Sequence, residues 1–88
     1  MIVIAVKSFN KDVAQITNYS LARKLDAVLR RLETANSISQ ISGVKKLAGA
    51  ANAYRIRVGD YRIGFFLEGS TIRLMIFADR KEIYRYFP

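Results

Sequence analysis

Arg55, Arg57 and Arg62 sit in the stretch YRIRVGDYRIGFF, each isolated between apolar neighbours, and they are the side chains of this sequence best equipped for chemistry. A guanidinium group stays charged, and its planar fork holds carboxylate or phosphate oxygens in pairs. Tyr54, Ile56 and Val58 alternate with Arg55 and Arg57; beyond Gly59-Asp60, Tyr61, Ile63 and Phe65 alternate with Arg62 and Gly64. Alternation of period two around a two-residue Gly-Asp loop predicts an antiparallel hairpin with a primed turn, because glycine takes positive φ at little steric cost. In that register Arg57 faces Arg62 and Arg55 faces Gly64. Like charges opposed across a strand pair are unfavourable by roughly 0.2–1 kcal/mol. Either the arginines form an ordinary solvated face, or they converge on an anion such as phosphate, with Gly64 leaving room for a ligand backbone.

A second group closes the chain. In DRKEIYRYFP, Arg80, Lys81, Tyr84, Arg85 and Tyr86 crowd the end of a strand or a short terminal helix. Tyr84 has two readings, an aromatic that seals a core or a phenol that does chemistry.

The elements that must position these groups follow from patterning. Ile2 to Val6 is a β-rich apolar run, expected as a first strand buried on both faces. Ser8 or Asn10 can cap a short helix containing Phe9, Val13 and Ile16, and Ser20 a second. Leu21, Leu25, Val28, Leu29 and Leu32 form one apolar face of that second helix, which runs to about Ala35, with Arg23, Lys24, Arg30 and Arg31 on its solvated side. Residues 36 to 53 show no clear period and read as a loop, with Val44 and Leu47 tucked into the core. After the hairpin, Glu68-Gly69 predicts another turn, so that Phe65 faces Ile72, Ile63 faces Leu74 and Tyr61 faces Ile76 on one apolar face. The opposite face then carries Arg55, Arg57, Arg62 and Arg73, with Phe66, Met75 and Phe77 among them. The expectation is one α+β domain over residues 1–88: an N-terminal strand, a two-helix hairpin, a three-stranded antiparallel meander and a short C-terminal segment.

Composition narrows the function. A net charge of +8 on 88 residues implies an acidic partner, whether nucleic acid, acidic protein or anionic surface. The absence of Cys fits the cytosol, so a cytoplasmic protein is expected. The absence of His removes the commonest general base and metal ligand together. Asp12, Asp26, Glu33, Asp60, Glu68, Asp79 and Glu82 are scattered without metal-ligand spacing, so no metal and no cofactor is expected. The opening MIVIAV is too short and too soon interrupted by Lys7 for a membrane span.

The order β-α-α-β-β-β, with KKLAGAANAYRIRVGDYRIGFF followed by DRKEIYR, resembles the RelE/ParE superfamily of toxins from toxin–antitoxin pairs. The specific part is the spacing from Leu47-x-Gly49 through Tyr54-Arg55-x-Arg57 and Tyr61-Arg62 to Arg80-Lys81-Glu82-x-Tyr84. The resemblance implies, for the RelE branch, a ribosome-dependent mRNA endonuclease that needs no metal, held in a hetero-oligomer by a cognate acidic antitoxin. By position, Arg55 and Arg57 match the family's basic pair on the second strand, Arg62 the arginine of the next strand, and Arg80 and Tyr84 the C-terminal arginine and tyrosine. The resemblance therefore implies catalytic roles for Arg62, Arg80 and Tyr84, with Arg55, Arg57, Arg73 and Lys81 holding RNA phosphate. Cutting RNA through its own 2′-hydroxyl requires in-line geometry, stabilised phosphate charge and two proton transfers. Without His, a tyrosine whose phenolate is favoured by neighbouring arginines is the natural base.

Two other functions stand beside this one. The ParE branch poisons DNA gyrase and shares the fold, but its members generally lack the full basic and tyrosine set. A non-catalytic RNA-binding module would also use basic and aromatic side chains on a sheet.

Overall fold

The Gly59-Asp60 hairpin forms in the register that its turn dictates. In the computed structural model, which describes residues 1 to 88, β3 (Ala53–Val58) pairs with β4 (Tyr61–Glu68) so that Arg57 opposes Arg62, Arg55 opposes Gly64 and Ile56 opposes Ile63. Gly59 adopts φ +59°, the conformation a primed turn requires.

The chain order is β1 (Ile2–Ala5), α1 (Lys7–Val13), α2 (Tyr19–Thr34), a 3₁₀ turn (Ile38–Gln40), β2 (Val44–Lys46), β3, β4, β5 (Thr71–Asp79) and α3 (Ile83–Tyr86). The expected meander is the centre of a five-stranded sheet in the order β1-β5-β4-β3-β2. At one edge β1 joins β5 in parallel. At the other, three residues within the expected loop, Val44 to Lys46, pair antiparallel with β3. Strand β2 is too short for alternation to show, and its two lysines are what an exposed edge carries to discourage further pairing.

Strand β1 is also less buried than its composition suggests. Ile2 is 61% and Ile4 45% exposed, because β1 lies at the sheet edge and only the Val3 side meets the core. The helix caps differ too. Neither Ser8 nor Asn10 caps α1, whose N-cap is Val6, and Asn18 rather than Ser20 caps α2 by accepting the Leu21 N–H at 3.0 Å. Phe9 of α1 and Leu25, Val28 and Leu32 of α2 pack with Ile56, Val58, Ile63, Phe65, Ile72, Leu74 and Phe77 in the main core.

The β4–β5 register departs most from expectation. The turn is Gly69-Ser70, with Glu68 opposite Thr71, and Phe65 faces Leu74 rather than Ile72. Between the Gly64–Ile76 and Phe65–Leu74 pairs, Met75 is left unmatched as a β-bulge. The bulge exchanges faces beyond it: Ile63 opposes Phe77 and Tyr61 opposes Asp79, so Phe77 enters the main core while Ile76 turns to the other side. Helix α1 fixes this irregularity where β1 has ended. Ser8 Oγ donates to Met75 O at 2.7 Å, and Asp12 Oδ2 accepts the Phe77 N–H at 3.0 Å.

The sheet face turned away from the helices is not uniformly solvated. Leu47, Ala53, Ile83 and Phe87 form a second small core there, joined by Phe66, Met75 and Ile76. It seats α3 beside the arginines. No helix is long and apolar enough to cross a membrane.

Candidate functional site

Two arginines on adjacent strands would repel unless something drew them together. The carbonyl oxygen of Gly59 does so, accepting from Arg57 Nε at 3.4 Å and Arg62 Nη1 at 3.1 Å; Arg62 Nη1 also donates to Tyr61 O at 2.9 Å. The turn that sets the hairpin register thus aims its two opposed cations as well. Lys24, on the exposed side of α2, lies against the same turn, since a Cβ added at Gly59 would meet its Cδ at 3.5 Å. Helical periodicity placed Lys24 on a solvated face and carried no sign of this contact.

The C-terminal segment is tied to the same place. Arg80 N–H donates to Asp60 O at 2.9 Å, which brings the end of β5 against the hairpin turn. Asp79 makes the bend that follows: its Oδ1 accepts the Lys81 N–H at 2.8 Å and its carbonyl the Glu82 N–H at 2.9 Å. Chain reversal there leads directly into α3. Ile83, fully buried, anchors that single turn, and Tyr84 stands exposed beside it with its ring centroid 5.6 Å from the Arg55 guanidinium carbon. A cation over an aromatic face at this separation is attracted by the ring's quadrupole.

The charges of these groups act on one another. The Arg62 guanidinium is held below the usual arginine range, first by burial and then by the charges of Arg55 and Arg57; Arg80 adds to this and Tyr84 acts in the opposite sense. One half-buried arginine therefore feels three others and the phenol at once. The chain's ion pairs are Arg30–Asp26, Arg73–Glu68 and Arg85–Glu82, so no carboxylate neutralises Arg55, Arg57, Arg62 or Arg80. The Arg55 Nε is buried without a hydrogen-bond partner. Positive charge without counter-charge is what an anion would satisfy.

Arg55, Arg57, Arg62, Arg80 and Tyr84 are thus brought together, and Lys81 lies on the bend next to Arg80. Arg73 is not. It pairs with Glu68 at 2.9 Å and lies opposite Phe66, toward the far end of the hairpin from the Gly59 turn. Gly64 also differs from its sequence reading: the space above it is filled by Phe87 and Ile76, not left open for a ligand. No three carboxylates or other metal-ligating side chains gather anywhere in the chain.

No protein-family model matches the chain. Toxin RelE3 of Methanocaldococcus jannaschii is 36% identical over 89 residues, an alignment that spans the whole of both chains. The chain belongs to the RelE family of toxins. The toxin in the crystal structure of a RelB-RelE antitoxin-toxin complex from Methanococcus jannaschii superposes with a TM-score of 0.80 at 34% identity, over 97% of this chain and 99% of that one. The archaeal RelE-RelB complex of Pyrococcus horikoshii shares the fold, with a TM-score of 0.73 at 22% identity over 93% of this chain and 97% of its own. As a RelE relative the protein is the toxin of a toxin–antitoxin system. The RelE fold accounts for the five-stranded sheet and the helical hairpin.

Proposed function

We propose that this RelE toxin is a ribosome-dependent endoribonuclease that cleaves mRNA and arrests translation in the cytoplasm. The observation that carries the reading is the unneutralised cluster of Arg55, Arg57, Arg62 and Arg80 with Tyr84 at its margin. Arg55, Arg57 and Lys81 hold the RNA backbone, where guanidinium forks suit phosphate oxygens. Arg62 and Arg80 stabilise the charge that grows on the phosphate as it is attacked.

In the step itself, the 2′-oxygen bonds to phosphorus and gives its proton to the phenolate oxygen of Tyr84, which leaves the step as the phenol. The bond from phosphorus to the 5′-oxygen breaks, and water protonates the departing oxygen. The products are a 2′,3′-cyclic phosphate and a 5′-hydroxyl. Arginine holds its proton, so it serves charge and not proton transfer. The ribosome supplies orientation of the message, which lets a site with one modest proton acceptor operate through positioning.

The same cationic surface recognises the partner. Two RelE relatives were crystallised with RelB antitoxins, and a net charge of +8 suits an acidic antitoxin segment that orders on binding and screens the arginines. Mapping mRNA 5′ ends after induction of the toxin alone tests the activity. New ends within translated message are expected; intact message with stalled replication would point to a gyrase poison instead.

A further inference from the structure

Gly64 stands alone among the five glycines. Gly43, Gly49, Gly59 and Gly69 all have positive φ, whereas Gly64, in β4 at the edge of the bulge, does not. Its requirement is space. A Cβ there would come within 2.5 Å of Phe87 Cδ2 and 2.7 Å of Ile76 Cγ2, so even alanine is too large unless both Phe87 and Ile76 shift. Gly64 is also the cross-strand neighbour of Arg55. Phe87 therefore rests on the sheet directly beside the arginine over which Tyr84 lies.

Helix α3 is one turn long and could not hold its shape alone. It is pinned at both ends: Ile83 packs with Leu47 and Ala53, and Phe87 packs against Phe66, ring centroids 5.1 Å apart, while its N–H donates to Ile83 O at 2.9 Å. Tyr84 projects between the two pins. The height at which Phe87 sits thus sets where Tyr84 stands relative to Arg55.

We propose that Gly64 and Phe87 are positioning residues of this toxin, a bare strand position and the ring seated on it, which together hold Tyr84 over Arg55. The inference rests on the proposed role of Tyr84 in cleavage, but its geometric content can be tested separately. The experiment uses full-length Gly64→Ala, Phe87→Leu, Tyr84→Leu and Tyr84→Phe toxins. NMR of the Arg55 side chain reads the ring-current shift from Tyr84, with Tyr84→Leu marking its absence. In Phe87→Leu, and likewise in Gly64→Ala, adding Tyr84→Leu should shift the Arg55 resonances far less than it does in the parent, while the Val58 and Ile72 amides stay in place.

Single-turnover cleavage on programmed ribosomes should slow by about tenfold or more in both variants, with half-saturating toxin concentration within about twofold of the parent. Should Gly64→Ala fail to fold, Phe87→Leu decides alone. A Tyr84→Leu shift at Arg55 as large in folded Phe87→Leu toxin as in the parent would overturn the positioning role, as would an unaltered cleavage rate when Tyr84→Phe is slow. A fully active Tyr84→Phe toxin would remove the tyrosine from the chemistry, and the Arg55 resonances would still decide what Phe87 does.

Discussion

Arg62 is the residue on which structure and charge converge. It is half-buried, it spends two hydrogen bonds on the carbonyls of Gly59 and Tyr61, and it lies amid Arg55, Arg57 and Arg80 with no carboxylate in reach. Such a group is kept against repulsion, so removing it should cost the fold little. Arg62→Leu is expected to change the unfolding free energy by no more than about 1 kcal/mol in a urea titration, with the lost hydrogen bonds offset by relief of like charge. Cleavage should fall by roughly 100-fold or more, the scale of losing one preorganised charge stabiliser. The cationic residues were legible in the sequence because a charge between two β-branched or aromatic residues on a hairpin has one face to occupy. The role of Gly64 was not, since its constraint comes from Phe87, far along the chain, and no local pattern encodes that contact.

Among the elements, α1 and β5 are joined by an unusual substitution of side chains for a strand. Where β1 stops pairing at Ala5, Asp12 and Ser8 take over the exposed backbone of the bulge at Met75. Asp12→Ala leaves the Phe77 N–H without a partner at a part-buried position and should lower stability by about 1–3 kcal/mol, read from the urea midpoint at unchanged slope. Asn18→Ala removes the cap of α2 and should cost about 1 kcal/mol in the same measurement. The first hairpin was readable in full because Gly59-Asp60 admits one two-residue turn. The second was misregistered for two physical reasons. Glu68-Gly69 and Gly69-Ser70 both offer glycine to a turn, and the bulge falls in Met75-Ile76-Phe77, three apolar residues in which a change of face leaves no mark on the pattern. Strand β2 was lost for want of length, its pairing supplied by β3 rather than by any propensity of Val44-Lys45-Lys46.

At the scale of the molecule, a net charge of +8 is carried on a body whose largest dimension is 33 Å, and none of the three exposed ion pairs involves Arg55, Arg57, Arg62 or Arg80. Inorganic phosphate should therefore stabilise the toxin more than chloride at matched ionic strength, because it binds the arginine cluster as well as screening it. A rise in thermal midpoint of roughly 4 °C or more is expected, corresponding to about 1 kcal/mol in a domain of this size, and Arg62→Leu should abolish most of the difference. The same cluster serves the chemistry proposed for the toxin, in which RNA supplies its own nucleophile and arginines bear the phosphate charge. The most direct measurement is cleavage of a message with a single 2′-deoxy nucleotide at the cut position, on programmed ribosomes and beside its all-ribose counterpart. The deoxy message should survive, and the ribose message should yield a 2′,3′-cyclic phosphate or its opened 3′-phosphate. Efficient cutting of the deoxy message, or a 3′-hydroxyl end on the ribose one, would make water the nucleophile and contradict the mechanism.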